Sequence, residues 1–182
     1  MNFIVYDLEA TCWDGIPTMT QETIEIGAVM VNRYGEITGK FNKFIQPVLH
    51  PNLSTFCSEL TSIQQADLRH ADKFEIVIRQ FMEWGRIEEE EYLLCSWGNF
   101  DKRMLFNDCL LHGIIPDWTE THINLRAAYK EMKHLRYPPG LRKTIKKEGF
   151  EFDGTQHRAL VDAENLAKVF IKYVDEWEQF VQ

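Results

Sequence analysis

The chain is short of positive charge, of closely spaced cysteines and of long apolar runs, and each shortage excludes something. Its 182 residues carry 20 Lys and Arg against 28 Asp and Glu, a formal charge of -8. That sign is wrong for a protein that coats nucleic acid by bulk electrostatics. Cys12, Cys57, Cys95 and Cys109 are nowhere closer than 14 positions, so no CxxC pair offers a zinc site or a redox dithiol. Reduced, structural thiols are the expectation. No apolar stretch approaches the ~18 residues of a membrane span, and the start MNFIVYDLEA has no basic segment before its apolar run. No membrane association and a cytoplasmic location are therefore expected. Repeats, low-complexity tracts and Pro/Gly/Ser-rich linkers are missing too, so residues 1–182 read as a single domain.

What is present is an ordinary globular mixture, 45% hydrophobic and 26% charged. FIVYDLEAT and TIEIGAVMV are β-branched and apolar, and the turn-forming NRYGE separates the second from GEITGKFNKFIQP, as in neighbouring antiparallel strands. Asp72 to Arg86 repeats Phe74, Val77, Ile78, Phe81 and Met82 at helical spacing, and Tyr92 to Trp97 is a short apolar run stopped by Gly98. Helices follow at Asp101 to His112, Leu125 to Lys133 and Leu141 to Glu148. A last one carries Ala163, Leu166, Ala167, Phe170, Val174 and Trp177 on one face. Strands first, then a strand among helices, predict an α/β layered domain with a mixed sheet.

In a chain with 28 acids a bare acidic pair says little. Asp7 and Glu9 differ because they interrupt a run that otherwise reads as a buried strand, where an ionised carboxylate is costly unless something pairs with it. Alternation puts both on one face with Leu8 on the other, ~7 Å apart, close enough to converge on one metal centre. An edge strand facing water would carry the same pair. Asp101 follows the short strand in SWGNFDKRML, at a strand's C-terminal end where sheet proteins place ligand groups. On its own it reads first as a helix N-cap or first-turn residue, helped by the helix dipole. His157 and Asp162 lie in GTQHRALVDAENLAKVF. Five residues apart on a continuous helix they would diverge by ~140°, so a joint role requires His157 to sit in the loop before the helix. A histidine there suits proton transfer beside a metal ligand, since an imidazole is the side chain that ordinarily exchanges its proton near working pH; it also suits a bare surface loop.

Taken in order, DLEATCW, SWGNFD and HRALVDAEN resemble the three exonuclease motifs of the DEDDh group in the ribonuclease H-like superfamily. FCSELTSI at Phe56 to Ile63 is similar to a segment of the ERI-type 3′-to-5′ exonucleases, and the likeness extends over residues 2 to 175. A tyrosine in the histidine's role would mark the sister group; the residue one place nearer Asp162 is Arg158, so the histidine type is indicated. The resemblance implies a ribonuclease H-like three-layer domain, a central mixed β-sheet flanked by helices. It makes Asp7, Glu9, Asp101 and Asp162 ligands of two divalent ions, with His157 as general base and Glu9 in the catalytic set. Oxygen-only ligands suit Mg²⁺ or Mn²⁺ rather than zinc. Two such ions hold the attacking water and the leaving 3′ oxygen of a phosphodiester displacement. The expected product is a nucleoside 5′-monophosphate. Some sporulation-inhibitor proteins share the resemblance, so a nuclease-like module that binds a protein or RNA partner without cutting is the alternative. Proofreading of DNA shares the chemistry without the FCSELTSI detail.

By the same resemblance the backbone at Ala10 and Thr11 meets the terminal ribose. Phe56, Leu60, Trp97 and Phe100 offer apolar surface to the last bases, where stacking is sequence-tolerant. Ordinary core is the other reading of these four. The expected partner is a 3′ end of RNA or single-stranded DNA, and a monomer is favoured. Between Arg126 and Glu148, eight basic residues face only Glu131 and Glu148, a local charge of +6. A solvated helix face and a track for the phosphate backbone both fit that stretch.

Overall fold

The computed structural model describes residues 1–15 and 19–180. Six strands form one sheet: β1 (Asn2–Ala10), β2 (Thr23–Asn32), β3 (Ile37–Gln46), β4 (Asp72–Lys73), β5 (Tyr92–Ser96) and β6 (His122–Asn124), in the spatial order β4-β3-β2-β1-β5-β6. The first three run as an antiparallel meander, the tight turn after Asn32 being closed by Gly35 at φ 77°. β5 and β6 add in parallel on the far side of β1, and β4 in parallel beside β3, so the sheet is mixed. Parallel strands need crossovers, and helices supply them.

Seven helices cover the sheet: α1 (Thr55–Thr61), α2 (Gln65–Arg69), α3 (Phe74–Trp84), α4 (Phe100–Leu111), α5 (Leu125–Met132), α6 (Leu141–Lys147) and α7 (Ala159–Lys172). Alternation along β1 divides the core in two. Phe3 and Val5 pack with Leu166 and Phe170 of α7 and with Leu125 and Tyr129 of α5. Ile4, Tyr6, Leu8 and Ala10 pack on the opposite side with Val77, Ile78 and Phe81 of α3 and Met104, Leu105 and Cys109 of α4. The result is the expected three-layer α/β architecture. Among the described residues no helix is long and apolar enough to cross a membrane, and all four cysteines are free.

Three features depart from the sequence reading. α1, α2 and β6 span only three to seven residues, fewer than a periodic pattern needs to declare itself, and their buried apolar positions (Cys57, Leu68, Ile123) went without an assigned element. The helix expected from Asp72 begins at Phe74, because Asp72 and Lys73 are taken by the sheet edge. The last helix stops at Lys172. Trp177, which the spacing assigned to its face, instead lies in a 3₁₀ turn, Trp177–Phe180, folded back so that its indole is buried against Phe170 and donates to the Phe170 carbonyl at 2.8 Å.

Candidate active site

The alternation that sends Phe3 and Val5 under α7 continues through Asp7 and Glu9, so both carboxylates emerge on the α7 side of the sheet. Opposite them on β2 stand Gly27 and Glu25, in register with Asp7 and Glu9 respectively. Gly27 lets the first turn of α7 touch the sheet. A Cβ there would lie 2.0 Å from the Leu160 nitrogen. That close approach brings Asp162, in the first turn of α7, over the end of β1.

Asp101 sits in the first turn of α4, immediately after β5, and its Oδ1 accepts from the Leu8 N–H at 3.1 Å. The donor belongs to the residue between Asp7 and Glu9, so this bond ties α4 to the catalytic end of β1. His157 lies in the loop before α7 with a left-handed backbone, φ 62°, and its N–H donates to Asp162 Oδ2 at 2.9 Å. The five-residue spacing is thus used as the joint role requires, with the histidine outside the helix and the acid on it. Asp7, Glu9, Asp101, His157 and Asp162 line one cleft of ≈ 340 Å³. Within it, ligand atoms of Glu9, His157 and Asp162 lie within 4.8 Å of one another.

Burial and mutual repulsion raise the proton affinity of every acid in the cleft. Desolvation pushes Glu9 up to about 8, helped by the charges of Asp162, Glu25 and Asp101. Asp7 is held well above the usual carboxylate range by desolvation, then by Asp101 and Glu9. Asp101 rises to about 6 through desolvation, a shift the Leu8 N–H opposes. Asp162 is raised by desolvation, against the His157 N–H. Asp162 Oδ1 is buried and has no hydrogen-bond partner among the described residues. A buried oxygen without a donor, among carboxylates that repel one another, fits a divalent cation with hard oxygen ligands.

The expected substrate contacts divide. Ala10, Leu60, Trp97 and Phe100 line the cleft; Phe56 and Thr11 do not. Leu60 and Phe100 are exposed, so neither is core. Thr11 is buried and its backbone is spoken for: its N–H donates to Glu22 and its carbonyl accepts from Gln21. α1, which carries Leu60, is fastened to the chain after β1. Its N-cap Ser54 donates to the Cys12 carbonyl at 2.5 Å, and Cys57 Sγ lies 3.6 Å from the Ala10 carbonyl. The Pro139 carbonyl accepts from Trp97 Nε1 at 3.2 Å and Arg126 Nε at 2.8 Å, and Pro138 accepts from Arg126 Nη2 at 3.0 Å. The Pro138–Gly140 corner is therefore tied down, with Leu141 reaching the cleft and Arg136, Tyr137, Arg142 and Lys143 exposed beyond it.

Sequence reasoning missed Leu8, Cys12, Gln21, Leu141 and Gln156 in the cleft wall, and it missed Glu25 in register with Glu9. Glu25 had a usable signal, the one that singled out Asp7 and Glu9: an acid inside an apolar strand.

A family model described as Exonuclease (RNase_T) matches residues 4–170. ERI1 exoribonuclease 2 of Xenopus laevis is 34% identical over 192 residues, which cover 91% of this chain and 27% of that protein. Human 3′-5′ exoribonuclease 1 is 30% identical over 181 residues, 94% of this chain and 52% of its own length. The chain thus spans from about a quarter to half of these relatives. Among solved structures, the nuclease domain of 3′hExo, a DEDDh family member bound to rAMP, superimposes with a TM-score of 0.88 at 28% identity, covering 96% of this chain and 92% of that one. With the acids and the histidine of all three motifs gathered in one cleft of a mixed six-stranded sheet, the chain belongs to the Exonuclease family, as a DEDDh member of the ERI type.

Proposed function

We propose that this protein is a metal-dependent 3′-to-5′ exonuclease that shortens RNA or short single strands from the 3′ end. The observation that carries it is the convergence of Asp7, Glu9, Asp101, Asp162 and His157, from one strand, two helix starts and a loop, on one cleft. Asp7, Glu9, Asp101 and Asp162 would hold two Mg²⁺ or Mn²⁺ ions, whose chemistry would be to supply positive charge to the attacking water and the leaving 3′ oxygen. The chain's own residues do the rest. His157, half-buried at the cleft wall, accepts the water's proton as general base. The Asp162 carboxylate fixes the histidine's backbone through the 2.9 Å bond from its N–H. Leu60, Trp97 and Phe100 present apolar surface to the terminal bases, whichever they are. The exposed Arg136, Arg142 and Lys143 meet the phosphates upstream of the scissile bond, which is where the local excess of positive charge sits in an otherwise acidic chain.

A 5′-labelled oligonucleotide incubated with the full chain and Mg²⁺ or Mn²⁺ is expected to shorten one nucleotide at a time and to stop shortening on addition of chelator. His157→Ala abolishes the ladder. Trimming that continues undiminished in Asp7→Asn would overturn the metal assignment. A labelled strand that binds without shortening would point to the non-cleaving module.

A further inference from the structure

We propose that Glu25 and Arg158 form a positioning pair that holds His157 in its working conformation, a role that rests on the exonuclease reading of the same cleft. Glu25 is 1% exposed and stands on β2 in register with Glu9, facing α7. Its carboxylate accepts three hydrogen bonds, from Arg158 Nε at 3.1 Å, from Arg158 Nη2 at 2.9 Å and from the Ala159 N–H at 3.1 Å. The guanidinium also lies over the Phe44 ring, 5.3 Å from its centre. A planar fork paired at two points fixes an arginine in angle as well as in place, which a single contact does not.

The residue fixed in this way is the one that follows His157. His157 holds a left-handed backbone at φ 62° that a non-glycine residue keeps only where its surroundings impose it. In the loop before it Asp153 is held by Asn165 and Lys168 of α7, while Gly154 to Gln156 are exposed. Restraint comes from the other side: His157 N–H to Asp162 at 2.9 Å, Asp162 N–H to the Arg158 carbonyl at 2.9 Å, and Arg158 to Glu25. Docking of α7 on the sheet does not need the pair, because the contact at Gly27 and the apolar face of Ala163, Leu166 and Phe170 already provide it. What the pair adds is the placement of the one residue that stands outside the helix.

The charge count favours the same pairing. Glu25 would be a fifth carboxylate beside Asp7, Glu9, Asp101 and Asp162, and Arg158 neutralises it, leaving four negative charges to face two divalent ions. Arg158 touches neither the cleft nor, by its position, the reacting atoms. It acts through His157.

The test compares full-length wild type with Arg158→Met, Arg158→Lys and the double variant Glu25→Gln/Arg158→Met. One readout is the hydrogen-exchange rate of the His157 amide by NMR without metal; the other is kcat and KM on a 5′-labelled oligonucleotide. Arg158→Met is expected to speed His157 exchange by roughly tenfold or more, as its bond to Asp162 opens. Its kcat falls by about 10²-fold, the scale of a misplaced catalytic group, while KM stays within about twofold. Arg158→Lys recovers part of both losses. If Arg158→Met fails to fold because Glu25 is left as an unpaired buried charge, the double variant, which buries no charge, shows the same two effects. An unchanged His157 exchange rate in folded Arg158→Met or in the double variant would overturn the pair, as would a lysine variant no better than methionine. The exchange readout does not depend on cleavage. A wild-type chain that trims nothing therefore counts against the nuclease reading, while the exchange rates still decide the pair.

Discussion

The two faces of β1 are built from the same strand by the same alternation, yet they do opposite things. On the α3–α4 side, Ile4, Tyr6, Leu8 and Ala10 form an unbroken buried row. On the α7 side the row begins the same way with Phe3 and Val5 and then changes to Asp7 and Glu9, which meet Glu25 and the first turn of α7. The first face spends its burial on cohesion. The second gives part of it up, packing carboxylates that repel one another until a cation arrives. Active sites commonly carry such destabilising clusters on a scaffold stabilised elsewhere. Here the scaffold and the site are separated by the thickness of a single strand.

The sharpest way to break this contrast is to neutralise the polar face. Asp7→Asn is expected to lower the rate of trimming by roughly 10³-fold or more, as the loss of a principal charge-stabilising group does. The same change relieves repulsion on the order of 1 kcal/mol, so the metal-free protein gains ~2 to 4 °C in Tm, measurable by calorimetry in chelator. A variant less stable than wild type under those conditions would mean the carboxylates are not in conflict. The apolar face should respond in the reverse sense. Ile4→Ala, fully buried, costs roughly 2 to 5 kcal/mol in chemical denaturation while the folded enzyme keeps its kcat. Gly27→Ala tests where the faces meet. Its Cβ would collide with the α7 backbone, so we expect a loss of roughly 3 kcal/mol together with lost activity, because α7 cannot retreat without taking Asp162 with it.

The smallest expected effect is the pH dependence of metal-free stability. A carboxyl whose folded pKa lies above its unfolded value takes up a proton on folding, so its contribution to stability is favourable at low pH and lost as pH rises. For Glu9 that window runs from 4.5 to about 8, and for Asp101 from 3.8 to about 6. In chelator, Tm should therefore fall from about pH 4 to pH 8, the Asp101 part being lost by about pH 6 and the fall from pH 6 to pH 8 coming from Glu9, each on the order of 1 kcal/mol in stability, and Mg²⁺ or Mn²⁺ should restore most at the higher pH. A Tm that climbs across that interval would contradict the raised carboxylates.

Much of the site was legible because its residues break a local rule. Asp7 and Glu9 interrupt an apolar strand, Asp101 follows one, and His157 cannot share a helix face with Asp162; each anomaly is visible in the order of the letters. Glu25 breaks the same rule within TIEIGAV and went unremarked, since nothing in the sequence says that β2 sets it beside Glu9. Leu60 and Phe100 show a different limit. An apolar residue at the end of a helix reads as core or as rim equally well, and only the path of the chain around it settles that both are exposed at the cleft.

By itself the sequence determined the element types, the two-sided character of β1 and the identity of five groups able to bind cations and move a proton, because these follow from periodicity and from side-chain chemistry over a few residues. Tertiary structure decided their distances. It brought a helix within contact of Gly27, turned the Trp177 segment back onto Phe170, and paired Arg158 with a glutamate 133 positions away. Such contacts join residues far apart in the chain through packing that no local pattern encodes. They convert a set of costly carboxylates into one site.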